Sequence, residues 1–331
     1  MSDSRFPPSE RGAALLTVLL LVAIIAVVTA VILERLTLST RLAANASALD
    51  QARAYAMGAE QVAAVRIADL RAADTTRTTL QGNWHGTPQA MAVAGGQLVA
   101  RVRDGGNCFN LNSLVTGNEQ SGYAARPIAI AQLAGLMQVL GVDSGKAQAV
   151  AAAAADWIDS DDVPQPGGGA EDSAYLAAPV PYRAANRIMI DPSEMRVVAG
   201  MTPDLYRQLR PWLCALPVTE LSPLNVNTLQ PDQGALIAML MPGRLSVEQA
   251  RAMLASRPAA GYGNSNEFWA GPALRGITPD AEAMAQTKVS TRWFRVDIDV
   301  DLGGLNVHEV ALMDADEQPS RLVRRQWGDG A

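Results

Sequence analysis

The sequence predicts an α+β fold in which a long N-terminal helix packs on a small antiparallel sheet, with a large α-helical insertion between the strands. Three observations carry this. An uncharged apolar run from Gly12 to Leu33 continues without Gly or Pro, in a helical pattern, to Met57. Two alternating segments, 97–103 and 293–301, lie far apart in the chain. Between them, apolar residues recur at helical spacing over much of 114–285.

The N-terminal run is long enough to cross a bilayer, which takes about 20 apolar residues. An ordinary cleaved signal peptide has a shorter apolar region with its small-residue cleavage site after it. Here the site-like feature, Arg11-Gly12, comes first. The expected organisation is a leader at 1–12, a transmembrane helix at 13–33 and a partly amphipathic extension of that helix at 34–71.

After residue 71 the texture changes to Thr, Gly and short apolar runs, the first part of a head at 72–113. Residues 97–103 alternate as a strand, and Asp104-Gly105-Gly106 reads as a turn. In the last segment, 286–331, residues 293–301 and 307–313 flank Gly303-Gly304 and read as a hairpin with one polar face. Asp297, Asp299 and Asp301 fall on that face, as a solvated strand surface in preference to a metal site.

Within the insertion, helices are expected over 128–140, 147–158, 236–241 and 247–254. Hydrophobic residues make up 49% of the chain but aromatics only 5%, which favours helices over an aromatic-rich sandwich. An internal echo divides the insertion. Phe109-Asn110-Leu111-Asn112-Ser113-Leu114 recurs in form as Leu224-Asn225-Val226-Asn227-Thr228-Leu229, and each polar cluster suits a helix cap. The second echo, with Met241-Pro242-Gly243 and 250–257, also looks like a degraded helix-hairpin-helix, whose backbone amides bind DNA phosphates in other proteins. A net charge of −6 and sparse local basic residues speak against nucleic acid, leaving a packing unit as the better reading and an exported DNA-binding or uptake subunit as the alternative.

Cys108 and Cys214 are the two cysteines, an even count that points to one disulfide in an oxidising compartment, with two unrelated buried thiols as the less favoured alternative. His85 and His308 are far apart, so a histidine-based metal or nucleophile site has little material, and nothing points to an enzyme.

The most chemically loaded stretch is 156–175. Asp156, Asp159, Asp161, Asp162, Glu171 and Asp172 surround a Pro/Gly-rich turn beside Trp157 and Tyr175. Several carboxylates on a flexible loop suit a hard cation, and calcium is the expected ligand, although the spacing is not that of an EF-hand. Held together without a cation they would repel one another. Paired carboxylates also serve glycosidases, but no sugar-binding aromatic platform surrounds these.

The junction Glu10-Arg11-Gly12-Ala13-Ala14-Leu15-Leu16-Thr17-Val18 resembles a type IV prepilin leader. The resemblance implies cleavage after Gly12 by a prepilin peptidase and methylation of the new terminus at Ala13. Pilin-like subunits usually carry Glu at the fifth mature position, where this chain has Thr17. With Cys108-Phe109-Asn110-Leu111-Asn112, the acidic stretch and Leu224-Asn225-Val226-Asn227-Thr228, the whole chain resembles the minor pseudopilin K family of type II secretion. That implies a pilin-like head and a structural subunit at the tip of a pseudopilus, initiating or capping its assembly. The implied partners are minor pseudopilins I and J, with H and the major pseudopilin G as further candidates. The implied location is the inner membrane, single-pass, with the head in the periplasm and calcium at the acidic residues.

Overall fold

The structure, a computed structural model, describes residues 8–274, 276–317 and 319–328, with side chains from residue 13 onward. The first seven residues of the expected leader lie outside the described residues. The backbone at the expected cleavage junction, Gly12–Ala13, is part of α1 (Pro8–Ala73), a 66-residue helix. From Ala13 its apolar part is fully exposed along a window of mean hydropathy 3.2, long and apolar enough to cross a membrane. From residue 52 one face becomes buried: Ala52, Ala56, Ala59, Ala63 and Ile67 recur at helical spacing. Alanines on this face let the helix lie close to a sheet.

That sheet is built from β1 (Gln89–Val93), β2 (Gly96–Asp104) and three late strands, β9 (Trp293–Leu302), β10 (Leu305–Asp314) and β11 (Arg321–Trp327). Its order is β1-β2-β9-β10-β11, antiparallel throughout. Val102 pairs with Val296 and Ala100 with Ile298, so strands that are neighbours in space are separated by the whole insertion in sequence. This is the α+β class expected. The β9–β10 hairpin turns through Gly303 and Gly304, both at positive φ (58° and 90°), a requirement of the tight turn whose twist matches the strands. Phe294, Val296, Ile298 and Val300 face α1 and form one core with its alanines.

The opposite face of β9 departs from the expected solvated surface. Asp297 is buried, between Arg103 and Arg295. Asp299 accepts from Arg101 at 2.7 Å and lies 2.7 Å from Nδ1 of His308. The register explains this: His308 sits directly opposite Asp299, and Arg101 and Arg103 are diagonal cross-strand neighbours within reach of their partners. Asp297 and Asp299 are therefore neutralised by the sheet's own cations, whereas Asp301 accepts from the Gly304 N–H at the hairpin turn.

Between β2 and β9 the chain runs β3 (Phe109–Asn110), a hairpin of β4 (Val115–Asn118) and β5 (Gly122–Ala125), then α2 (Pro127–Val139), α3 (Ser144–Asp156), α4 (Asp172–Leu176) and α5 (Pro203–Leu209). It continues through β6 (Leu213–Cys214), β7 (Leu224–Asn225), α6 (Gly234–Ala238), α7 (Val247–Ala255), α8 (Ser265–Trp269), α9 (Ala281–Gln286) and β8 (Thr287–Lys288). These elements share a second core reaching from Phe109 to Ala283. α3 starts at a cap, Asp143 accepting from the Lys146 N–H, and Ser246 caps α7 with a reciprocal bond from Gln249. α6 is shorter than the spacing suggests because residues 239–241 wind into a turn ahead of Pro242-Gly243.

The echoed motifs do more than cap. Each opens on a two-residue parallel pairing, β3 with β6 and β7 with β8. Each then buries two asparagines as cross-links between distant segments. Asn110 Oδ1 accepts from the Leu216 N–H and its Nδ2 donates to the carbonyls of Val218 and Glu220. Asn112 bonds Met189 through both N–H and C=O. In the second copy, Asn225 donates to the Thr78 carbonyl and to Thr291 Oγ1, while Asn227 clamps Tyr262 in the same two-way fashion. A buried amide that satisfies two strand-like segments at once replaces the ladder that these short strands lack.

A candidate cation site in the insertion

α3 places Asp156 in its last turn, and the chain winds on so that the Asp159 N–H still bonds the Ala155 carbonyl. Asp156 and Asp159, three residues apart, therefore share a face. The loop then returns through Gly169 and brings Glu171 to them. A Cβ on Gly169 would stand 2.2 Å from Asp156 Oδ2 and 2.4 Å from the Gln165 nitrogen, so the return path requires glycine. Oxygens of Asp156, Asp159 and Glu171 lie within 4.8 Å of one another, and all three residues are buried.

The hydrogen bonding is incomplete in an informative way. Asp156 accepts from the Gln165 N–H at 3.0 and 3.2 Å. Among the described residues, both carboxylate oxygens of Asp159, and both of Glu171, have no hydrogen-bond partner. Burial first, and then the negative charges of the neighbours, push Asp159 up to about 7 and Glu171 up to about 8. Burial likewise pushes Asp156 up to about 6, partly offset by its backbone hydrogen bonds. Three buried carboxyls with four orphaned oxygens meet the chemistry of a hard divalent cation, which takes oxygen donors and supplies the missing positive charge.

The six residues singled out by composition thus divide. Asp161 and Asp162 are exposed, and Asp161 accepts only from the Val163 N–H. Asp172 is turned to Arg183, at 3.2 Å, and to the Ala184 N–H, at 3.0 Å. Beside the trio, Trp157 and Tyr175 stack edge to face at 5.3 Å and Tyr182 lies 5.1 Å from Tyr175.

Cys108 and Cys214 form a disulfide, with Cα atoms 5.8 Å apart, next to the β3–β6 pair. Thr17 is exposed on α1, its hydroxyl donating to the Ala14 carbonyl, and presents no carboxylate. Two of the basic residues of the hairpin-like segment are engaged by the chain itself: Arg257 donates to the carbonyls of Val226 and Leu229, and Arg244 to that of Thr278, while Arg251 is exposed on α7.

Three acidic residues outside the loop are not singled out by composition. Asp104, at the end of β2, accepts from the hydroxyls of Thr228 and Thr291 and joins the sheet to the second echo. Glu60 on α1 and Glu309 on β10 are both buried. Periodicity could find them: each occupies the buried stripe of its element, Glu60 between Ala56 and Ala63, and Glu309 between Val307 and Ala311.

Comparison with known proteins agrees with this architecture. Two models described as type II secretion system (T2SS), protein K, match residues 107–218 and 224–292, each beginning at or just before one of the echoed motifs. The type II secretion system protein K of Pectobacterium carotovorum subsp. carotovorum is 35% identical over 323 residues, covering 96% of this chain and 97% of that protein. That of Pseudomonas aeruginosa is 33% identical over 328 residues, covering 97% and 94%. In the crystal structure of the GspK-GspI-GspJ complex from enterotoxigenic Escherichia coli, a chain with 32% identity superposes with a TM-score of 0.74, over 85% of this chain and 96% of that one. The chain described here belongs to the type II secretion system protein K family.

Proposed function

We propose that this chain is a structural minor pseudopilin that sits at the tip of the type II secretion pseudopilus and starts or caps its assembly. The observation that carries the reading is α1: one exposed apolar helix joined to a large head, with Thr17 where a filament subunit would place a carboxylate. A buried amine is costly in a bilayer, and a carboxylate on the adjacent subunit offsets it. A helix without that carboxylate fits the end of a filament, where no subunit ahead needs pairing.

In this reading 1–12 is removed by prepilin peptidase after Gly12, Ala13 is methylated, 13–33 spans the inner membrane and 34–71 carries the head into the periplasm. The head comprises 72–113 and 286–331, with 114–285 as an inserted helical domain. The Cys108–Cys214 bond supports an oxidising compartment. Minor pseudopilins I and J are the proposed partners, supported by the likeness to a chain of a complex containing both. H and the major pseudopilin G would adjoin that tip. Calcium is held by Asp156, Asp159 and Glu171, its charge supplying what the orphaned oxygens lack, with Asp161, Asp162 and Asp172 shaping the surrounding loop. The role is structural, without catalysis.

Co-expression of the full chain with its I and J counterparts, followed by purification in detergent through a tag on this chain, tests the partnership. A stoichiometric three-subunit complex that survives size exclusion is expected. Recovery of this chain alone, with calcium present, would overturn the reading.

A further inference from the structure

The anchor and the head meet where α1 crosses the sheet, and the α1 side of that junction is made largely of alanines, set against Phe294, Val296, Ile298 and Val300 of the sheet. Into this contact the chain inserts three ionisable groups. Glu60, from α1, and Glu309, from β10, are both 0% exposed, and Arg325 reaches them from β11. Arg325 engages Glu60 with both arms of its guanidinium, Nε at 2.7 Å from Oε1 and Nη2 on Oε2. Glu309 receives no hydrogen bond from Arg325, whose Nε is 3.6 Å from its Oε1. One cation thus faces two carboxyl groups.

Among the described residues no other charge compensates. Opposite Glu309 on β9 stands Ile298, flanked by Val296 and Val300 on the same face. Its own strand offers Val307 and Ala311. On β11, Trp327 pairs with Glu309, and the further cation on α1, Arg53, lies over that indole at 5.6 Å. Two ionised carboxylates and one guanidinium would leave a net negative charge in an apolar junction, which is strongly unfavourable.

We propose that Glu60, Glu309 and Arg325 form a one-proton latch between the long helix and the sheet: one proton held between the two carboxyl groups balances the cluster, and its loss to solvent loosens the junction. In the closed form Glu309 is the neutral acid and donates its O–H to the Glu60 carboxylate, which also accepts both bonds from Arg325. Burial, followed by the hydrogen bond and charge of Glu60, pushes Glu309 up to about 8. Burial also opposes charge on Glu60, but its bonds to Arg325 prevail and hold it below its usual value. Since the undocked Glu309 ionises at its ordinary value near 4.5, the docked form binds the extra proton between those limits. The latch's contribution is complete below about 4.5 and is lost as pH rises through about 8.

Backbone amide exchange of residues 52–67 in the full chain in detergent, corrected for intrinsic rates, reads this junction directly and separately from the acidic trio, which lies in the other core. Between pH of about 6 and about 9, protection of these amides is expected to fall about tenfold or more. In Glu309→Gln, whose amide can donate to Glu60 but has no proton to lose, protection should stay level over that range. Protection that is level in the wild type, or that falls in parallel in both proteins, overturns the latch. If the variant does not fold, carbon-13 carboxyl NMR of the wild type decides: a Glu309 midpoint near 8 supports the latch, and one near 4.5 overturns it.

Discussion

Replacing Cys108 and Cys214 together with serine is expected to destabilise the head by about 4.7 kcal/mol, from the chain entropy released when a loop of this length is opened. The two residues are separated by 106 positions, and the bond ties the start of the first echo to β6. The parallel pairing there is only two residues long, so the backbone ladder alone has little strength to keep the segments together. Asn110, which clamps Leu216, Val218 and Glu220, depends on the same alignment. Urea unfolding would show the loss as a lower midpoint, and treatment of the wild type with reductant should reproduce it. A midpoint unchanged in both would contradict the account of how the insertion is closed.

Calcium is expected to raise the melting temperature of the metal-free protein, adding about 2.7 kcal/mol at a concentration a hundredfold above its dissociation constant. The pH dependence should have opposite signs in the two forms. Without metal, Asp156, Asp159 and Glu171 bind protons more tightly folded than unfolded, because burial raises all three. Stability of the metal-free form should therefore decline as pH rises from the ordinary carboxyl range to about 8. With calcium, binding needs the ionised carboxylates, so the stabilisation should grow over the same interval. Asp159→Asn is expected to abolish the calcium response yet to stabilise the metal-free protein near pH 8, since a neutral amide removes one of the repelling charges. Differential scanning calorimetry over this range checks both signs, and a melting temperature indifferent to calcium would remove the proposed site.

Much of this was legible because local chemistry repeated. α1 announces itself by an uncharged run that passes into an alanine stripe, β9 by its alternation, and β10 by an apolar segment that follows Gly303-Gly304. The edge strands are harder: β11 carries Arg324 to the Ala215 carbonyl and Arg325 to Glu60, so its pattern has no apolar face to read. The short helices α4, α5, α8 and α9 depend on caps and tertiary packing more than on periodicity. At the acidic loop, composition singled out six carboxylates but not which of them come together. The winding of α3 aligns Asp156 with Asp159, and Gly169 permits the return that delivers Glu171, while Asp161 and Asp162 fall on the outside of the turn. The polar strand of β9 misleads for a different reason: its cations come from β2 and β10, and only the register brings them into reach.

Position within the filament is the most direct test of the tip assignment. Pseudopili sheared from cells carrying an epitope-tagged but otherwise native chain can be labelled with gold-conjugated antibody and viewed by electron microscopy. The account predicts label at one end of each filament and none along the shaft, as the missing carboxylate at Thr17 requires. Label distributed along the shaft would contradict it.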